Sequence, residues 1–169
     1  MNVEESLSKL QSYSRELDLD LSKAEDRFKW FLAAILFAKR ISAETAKETY
    51  LYLEQEELTS PDAILKAGWN RLVEVLDADG YARYDFSTAT NLLGIAKELK
   101  EKYSNLEKLH AESSSPTDLE NRLQEFKGVG PMGVNIFLWE LRGIRKKPNR
   151  NPHPWLWRRH RKSALNSRT

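Results

Sequence analysis

Leu119-Glu-Asn-Arg-Leu-Gln-Glu-Phe-Lys-Gly-Val-Gly-Pro-Met-Gly-Val-Asn-Ile-Phe-Leu-Trp-Glu-Leu141 reads as two helices joined by a tight bend. Gly128 and Gly130 permit left-handed or crowded backbone angles on either side of Val129, and Pro131 has the fixed φ that suits the first position of the second helix. A helix that begins there directs its unpaired N–H groups and the positive end of its dipole at the bend. The bend is therefore expected to offer backbone amides to an anion. The plainer alternative is a helix-helix turn that uses glycine for steric reasons only.

Working outward, Ser113-Ser-Ser-Pro116-Thr117-Asp118 is a short polar linker with a cap before the first hairpin helix, and everything ahead of it is helical in pattern. Val3, Leu7, Leu10 and Leu17 predict a docking helix over 3–17. From Lys23 to about Arg40, Phe28, Phe31, Leu32, Ile35 and Leu36 recur at three- and four-residue steps. Between Trp30 and Ala38 this stretch is apolar on nearly every side, as the central helix of a bundle must be. Ser42 is expected to cap a helix from Ala43 to Gln55, and Ser60-Pro61 to open another that Gly68 ends. Trp69 to Asp77 adds a turn or two, and Ser87 to Tyr103 is strongly helical. Sustained strand alternation and internal repeats are both absent, so the fold class is all-α.

Composition narrows the chemistry. Zero cysteines in 169 residues exclude disulfides, a thiol nucleophile and cysteine-bound zinc or iron–sulfur clusters. His110, His153 and His160 are too scattered to suggest a metal site. A membrane span needs roughly 20 apolar residues, and the sequence has no such run. The N-terminus also lacks a secretory pattern, so a soluble, intracellular protein is expected; a monomer is the working expectation, with nothing in the sequence that fixes the oligomeric state. The net charge of +2 hides a division: residues 1–140 carry 17 Lys and Arg against 25 Asp and Glu, while residues 141–169 carry 10 against none. The basic end, interleaved with Trp155, Trp157 and His160, reads either as a solvated tail or as a segment that follows phosphates and stacks on bases.

From about Asp26 to Gly143 the order of elements resembles the endonuclease III-like DNA glycosylases, the helix-hairpin-helix-Gly-Pro-Asp superfamily. Three stretches carry the resemblance: Arg27 to Ser42, Gly80 to Leu93, and the hairpin Leu123 to Gly133. It implies an all-α bundle of the glycosylase type over 1–143; the basic tail over 144–169 departs from the family in composition and motif. That tail is a disordered extension, a non-native ending or a divergent DNA-binding segment. The resemblance further implies binding of double-stranded DNA, a role in base-excision repair, and a location in the cytoplasm or nucleoid, or in the nucleus of a eukaryote; the iron–sulfur cluster that many members carry is not expected, because the chain has no cysteine, and no other cofactor is expected. The hairpin residues Lys127, Gly128, Val129, Gly130, Met132 and Gly133 would contact phosphate, with a monovalent cation at the carbonyls of Lys127 and Val129. Lys39 and Arg40 would enter the space of a displaced base, and Tyr81, Arg83 and Tyr84 would lie against the strand.

The sequence departs from the family where its chemistry is done. Bifunctional members place a lysine where Met132 stands, and a thioether forms no Schiff base, so lyase activity is not expected. The aspartate that active members use would fall near Asn151, and no carboxylate follows Glu140. Asp85 and Glu44 are the substitute carboxylates, each with a plainer role: Asp85 as a helix cap, Glu44 as a first-turn acid that complements the dipole. The expectation is a monofunctional glycosylase if base removal survives. The alternatives are a catalytically silent damaged-DNA-binding module and a helical protein-interaction domain. Trp30 and Trp139 are assigned to the core, as are two of Tyr81, Tyr84 and Phe86.

Overall fold

The computed structural model describes residues 13–78 and 85–143, which form eight helices and, among these residues, no strand. In chain order they are α1 (Tyr13–Glu16), α2 (Ala24–Phe37), α3 (Ala43–Gln55), α4 (Pro61–Asp77), α5 (Asp85–Lys102), α6 (Leu106–Glu112), α7 (Pro116–Gln124) and α8 (Pro131–Gly143). The all-α expectation holds. None of the described helices is long and apolar enough to cross a membrane. The helix expected over 3–17 falls within the described residues only from Tyr13. Residues 1–12 and the basic segment 144–169 lie outside them.

α2 is the central helix, because from Trp30 to its end the sequence has no polar residue to face water. Nine of its residues are buried, Phe28, Trp30, Phe31, Leu32, Ile35 and Leu36 among them, and it packs on α3, α6 and α8. Each such side chain contributes about 1.5–3 kcal/mol when fully buried. Trp30 is wholly enclosed and its indole N–H donates to the Phe137 carbonyl of α8 at 3.3 Å. Phe31 meets Phe137 edge to face at 5.1 Å between ring centres. The one buried cation on α2, Arg27, bonds Glu107 of α6 at 2.7 Å and the Leu21 carbonyl at 3.0 Å, so its charge is compensated. Trp139, expected in the core beside Trp30, is only half-buried, and its enclosed indole N–H meets no acceptor among the described residues.

Helix boundaries follow local chemistry. Ser42, Ser60, Asn105 and Ser115 each stand at an N-cap and accept the backbone N–H three residues on, at 3.0, 3.2, 2.9 and 3.0 Å. Pro61 and Pro116 follow two of these caps, where a missing N–H costs nothing. Gly68, with φ of 80°, interrupts α4, but the helix resumes at once; the glycine makes a kink rather than an end. Removing one cap tests this account. Ser115→Ala leaves the Asp118 N–H without its acceptor and is expected to cost about 1 kcal/mol. An unchanged urea midpoint would show that this cap contributes nothing.

Candidate nucleic-acid interface

The bend between α7 and α8 is built on two buried side chains, Phe126 and Val129, which fasten it to the core. Between them the chain reverses at Gly128, whose φ of +90° favours glycine. A second constraint acts on the same residue: a Cβ there would lie 2.3 Å from Nδ2 and 2.6 Å from Cγ of Asn91 on α5. The Val129 N–H donates to the Phe126 carbonyl at 3.1 Å. This corrects one expectation, since the Val129 amide is spent within the turn and its side chain belongs to the core.

Gly130 behaves differently from Gly128. Its φ is not left-handed, a Cβ there would meet nothing within 4 Å, and its carbonyl accepts the Val134 N–H at 3.2 Å, which makes it the N-cap of α8. A glycine cap has no side chain to satisfy the first turn. Pro131 has no N–H, and among the described residues the amides of Gly130, Met132 and Gly133 meet no hydrogen-bond acceptor. Gly130 and Met132 are exposed, whereas Gly133 is covered, its Cβ position 3.7 Å from Cβ of Ala38. Of these three amides, the ones on exposed residues are thus those of Gly130 and Met132.

The Gly133 to Ala38 contact has a consequence for charge. It sets the start of α8 against the end of α2, so that the turn carrying Lys39 and Arg40 follows directly beside the bend. Arg40 and Lys127 are exposed and Lys39 is half-buried; among the described residues none of the three enters an ion pair. Most of the sequence-derived contact residues that are described therefore gather at one end of α8. Met132 is 52% exposed at this edge.

Other candidates lie elsewhere. Glu44 is exposed in the first turn of α3, the position of an ordinary dipole-complementing acid. Asp85 falls within the described span of α5, which starts before the expected Ser87; its side chain, with Tyr81, Arg83, Tyr84 and Asn151, lies outside the described residues. Phe86 is 59% exposed and is not a core residue. No group of three or more His, Cys, Asp or Glu residues suited to a metal ion occurs among the described residues.

Three features had no signal in the sequence. Asn91 stands 37 positions before the glycine it touches. Ser14 and Glu140, 126 positions apart, form a buried pair in which Ser14 Oγ donates to the carboxylate at 2.8 Å. Trp69 and Phe86 stack across α4 and α5. Comparison of the chain with protein-family models, curated proteins and solved structures returned no match.

Proposed function

We propose that this domain binds the sugar–phosphate backbone of double-stranded DNA through the bend at Gly128 to Gly133, as a glycosylase-like protein of base-excision repair. The observation that carries the reading is the glycine N-cap at Gly130. It leaves exposed, unsatisfied amides at the positive end of α8, beside the cations Lys127, Lys39 and Arg40. Such contacts position a duplex without reading its sequence. The carbonyls of Lys127 and Val129 accept no backbone hydrogen bond among the described residues and would hold a monovalent cation, whose charge would favour the phosphate.

Within this reading, binding without strand incision is favoured by the exposed thioether of Met132, where a lysine nucleophile would be needed. Base hydrolysis is tested by incubating the protein with oligonucleotides that carry uracil, mismatched thymine, oxidised pyrimidines or alkylpurines; alkali-labile breaks report base removal. The acidic balance of residues 1–140 favours a second reading, a helical protein-interaction domain.

Gly130→Asp separates the two. Aspartate is a strong N-cap, and its carboxylate would take the same amides that a phosphate needs, so stability should rise by a few tenths of a kcal/mol while duplex affinity falls at least about tenfold. Wild-type binding should weaken with salt at a log–log slope of roughly −0.9 per phosphate contacted. Affinity that never reaches micromolar would favour the protein-interaction domain, and affinity that Gly130→Asp leaves unchanged would show that the duplex is held elsewhere than at the bend.

A further inference from the structure

Asn91 of α5 brings a side-chain amide to the bend. Of its atoms, Nδ2 lies nearest to where a Cβ on Gly128 would stand, at 2.3 Å, followed by Cγ at 2.6 Å, so the carboxamide itself packs on that glycine. A primary carboxamide can donate two hydrogen bonds and accept as many, yet among the described residues that of Asn91 meets no partner. Asn91 is half-buried, at the border between the buried face of α5, which holds Leu92 and Ile95, and the outer face, where Ser87 and Thr90 are exposed. Contact with Gly128 fixes its place, but no hydrogen bond within the described protein accounts for its polarity. One turn on, Gly94 sits in the middle of the 18-residue α5. Glycine is, after proline, the least favourable residue there, and a Cβ would meet nothing within 4 Å, so packing within the chain does not account for it. Residues three apart are neighbours on a helix surface, so the ground beside Asn91 is bare backbone.

We infer that α5 forms a second wall of the phosphate site, in which Asn91 Nδ2 donates to the strand held by the Gly130 and Met132 amides and Gly94 lets that strand approach the helix. The inference rests on the DNA-binding reading above and adds a contact from an element outside the hairpin. Gly128 and Gly130 are two residues apart, at most about 7 Å along the chain, so the carboxamide and the Gly130 amide lie within reach of one phosphodiester or of two in succession. The donor is neutral, unlike Lys127, Lys39 and Arg40. It fixes where the backbone lies on the bend without adding to the charge that attracts it. Its removal should therefore weaken binding and leave the salt dependence as it was, because no counterion is exchanged for it.

The test compares wild type, Asn91→Ala, Asn91→Asp and Gly94→Leu, each as the full chain, in duplex binding across a salt series and in urea unfolding. Asn91→Ala should lose about tenfold in affinity at every salt concentration, the scale of one hydrogen bond to a charged group, with the wild-type salt slope. Asn91→Asp keeps the shape that packs on Gly128 and turns the donor into an anion, so it should lose more than Asn91→Ala. Gly94→Leu should raise the urea midpoint, because leucine favours the helix and its Cβ has open space, while it lowers affinity by blocking the approach. An Asn91→Asp protein that binds as wild type does, or a Gly94→Leu protein that gains stability with no loss of affinity, would overturn the inference and leave Asn91 a packing residue. A wild type that binds no duplex would instead overturn the DNA-binding reading itself.

Discussion

Gly128→Ala is expected to destabilise the fold by about 2–4 kcal/mol, and to do so by two separable routes. One is backbone strain at a φ of +90°, which for a residue with a Cβ costs on the order of 1 kcal/mol. The other is overlap with Asn91, whose Nδ2, Cγ and Cβ would lie 2.3, 2.6 and 3.0 Å from the new atom. Overpacking of this kind costs about 1–3 kcal/mol. A double-mutant cycle divides them: Asn91→Ala in the Gly128→Ala background removes the Nδ2 and Cγ overlaps, keeps the 3.0 Å approach of Cβ, and should recover most of the steric share while leaving the strain. Urea denaturation of the four proteins measures both terms. If Gly128→Ala keeps the wild-type midpoint, or if Asn91→Ala recovers none of the loss, the close approach of α5 to the bend is wrong.

Glu140 should make stability fall as pH rises. The residue is buried on α8 beside Ser14 of α1, and burial pushes its carboxyl up from the ordinary 4.5 to about 7, against the opposing pull of the Ser14 hydrogen bonds and the Arg15 charge. Between these two values the folded chain holds a proton that the unfolded chain has released. Its contribution to stability is therefore complete below the ordinary carboxylate range, declines as pH climbs, and is gone above about 7. The difference is on the order of 3 kcal/mol across that window. Glu140→Gln keeps an amide able to bond Ser14 and cannot ionise, so its stability should pull ahead of wild type between pH 5 and pH 8. Parallel pH profiles for the two proteins would show that the carboxylate is not confined as described.

Much of this fold was legible in advance, because the signals that decide it are short-ranged. The caps at Ser42, Ser60 and Ser115 and the prolines at Pro61, Pro116 and Pro131 act on groups within a turn of themselves, and each starts a helix where the pattern predicts one. Gly68 shows the limit of such signals: a glycine there was readable as a helix end, but whether the chain turns away or kinks and continues depends on what α4 packs against. α4 meets both α3 and α5, and it continues.

The candidate interface divides along the same line. The two glycines of one bend look alike in a sequence, yet Gly128 is required by a left-handed angle and by Asn91, while Gly130 faces open space and, as an N-cap without a side chain, leaves first-turn amides unsatisfied. Val129 was read as a phosphate contact, and its N–H is consumed by the Phe126 carbonyl within the turn.

By itself the amino-acid order determined that this chain is helical, where most of its helices begin, and that a glycine-rich bend with a proline-led helix follows α7, since each of these depends on backbone chemistry within about one turn. Only the tertiary structure decided which glycine is sterically necessary, that Lys39 and Arg40 follow the contact between Ala38 and Gly133, that Glu140 is buried against Ser14, and that Trp69 and Phe86 share one exposed stack. Those outcomes are set by which side chains from distant parts of the chain fill the same volume once the helices pack, and close packing is a property of the assembled set rather than of any one segment.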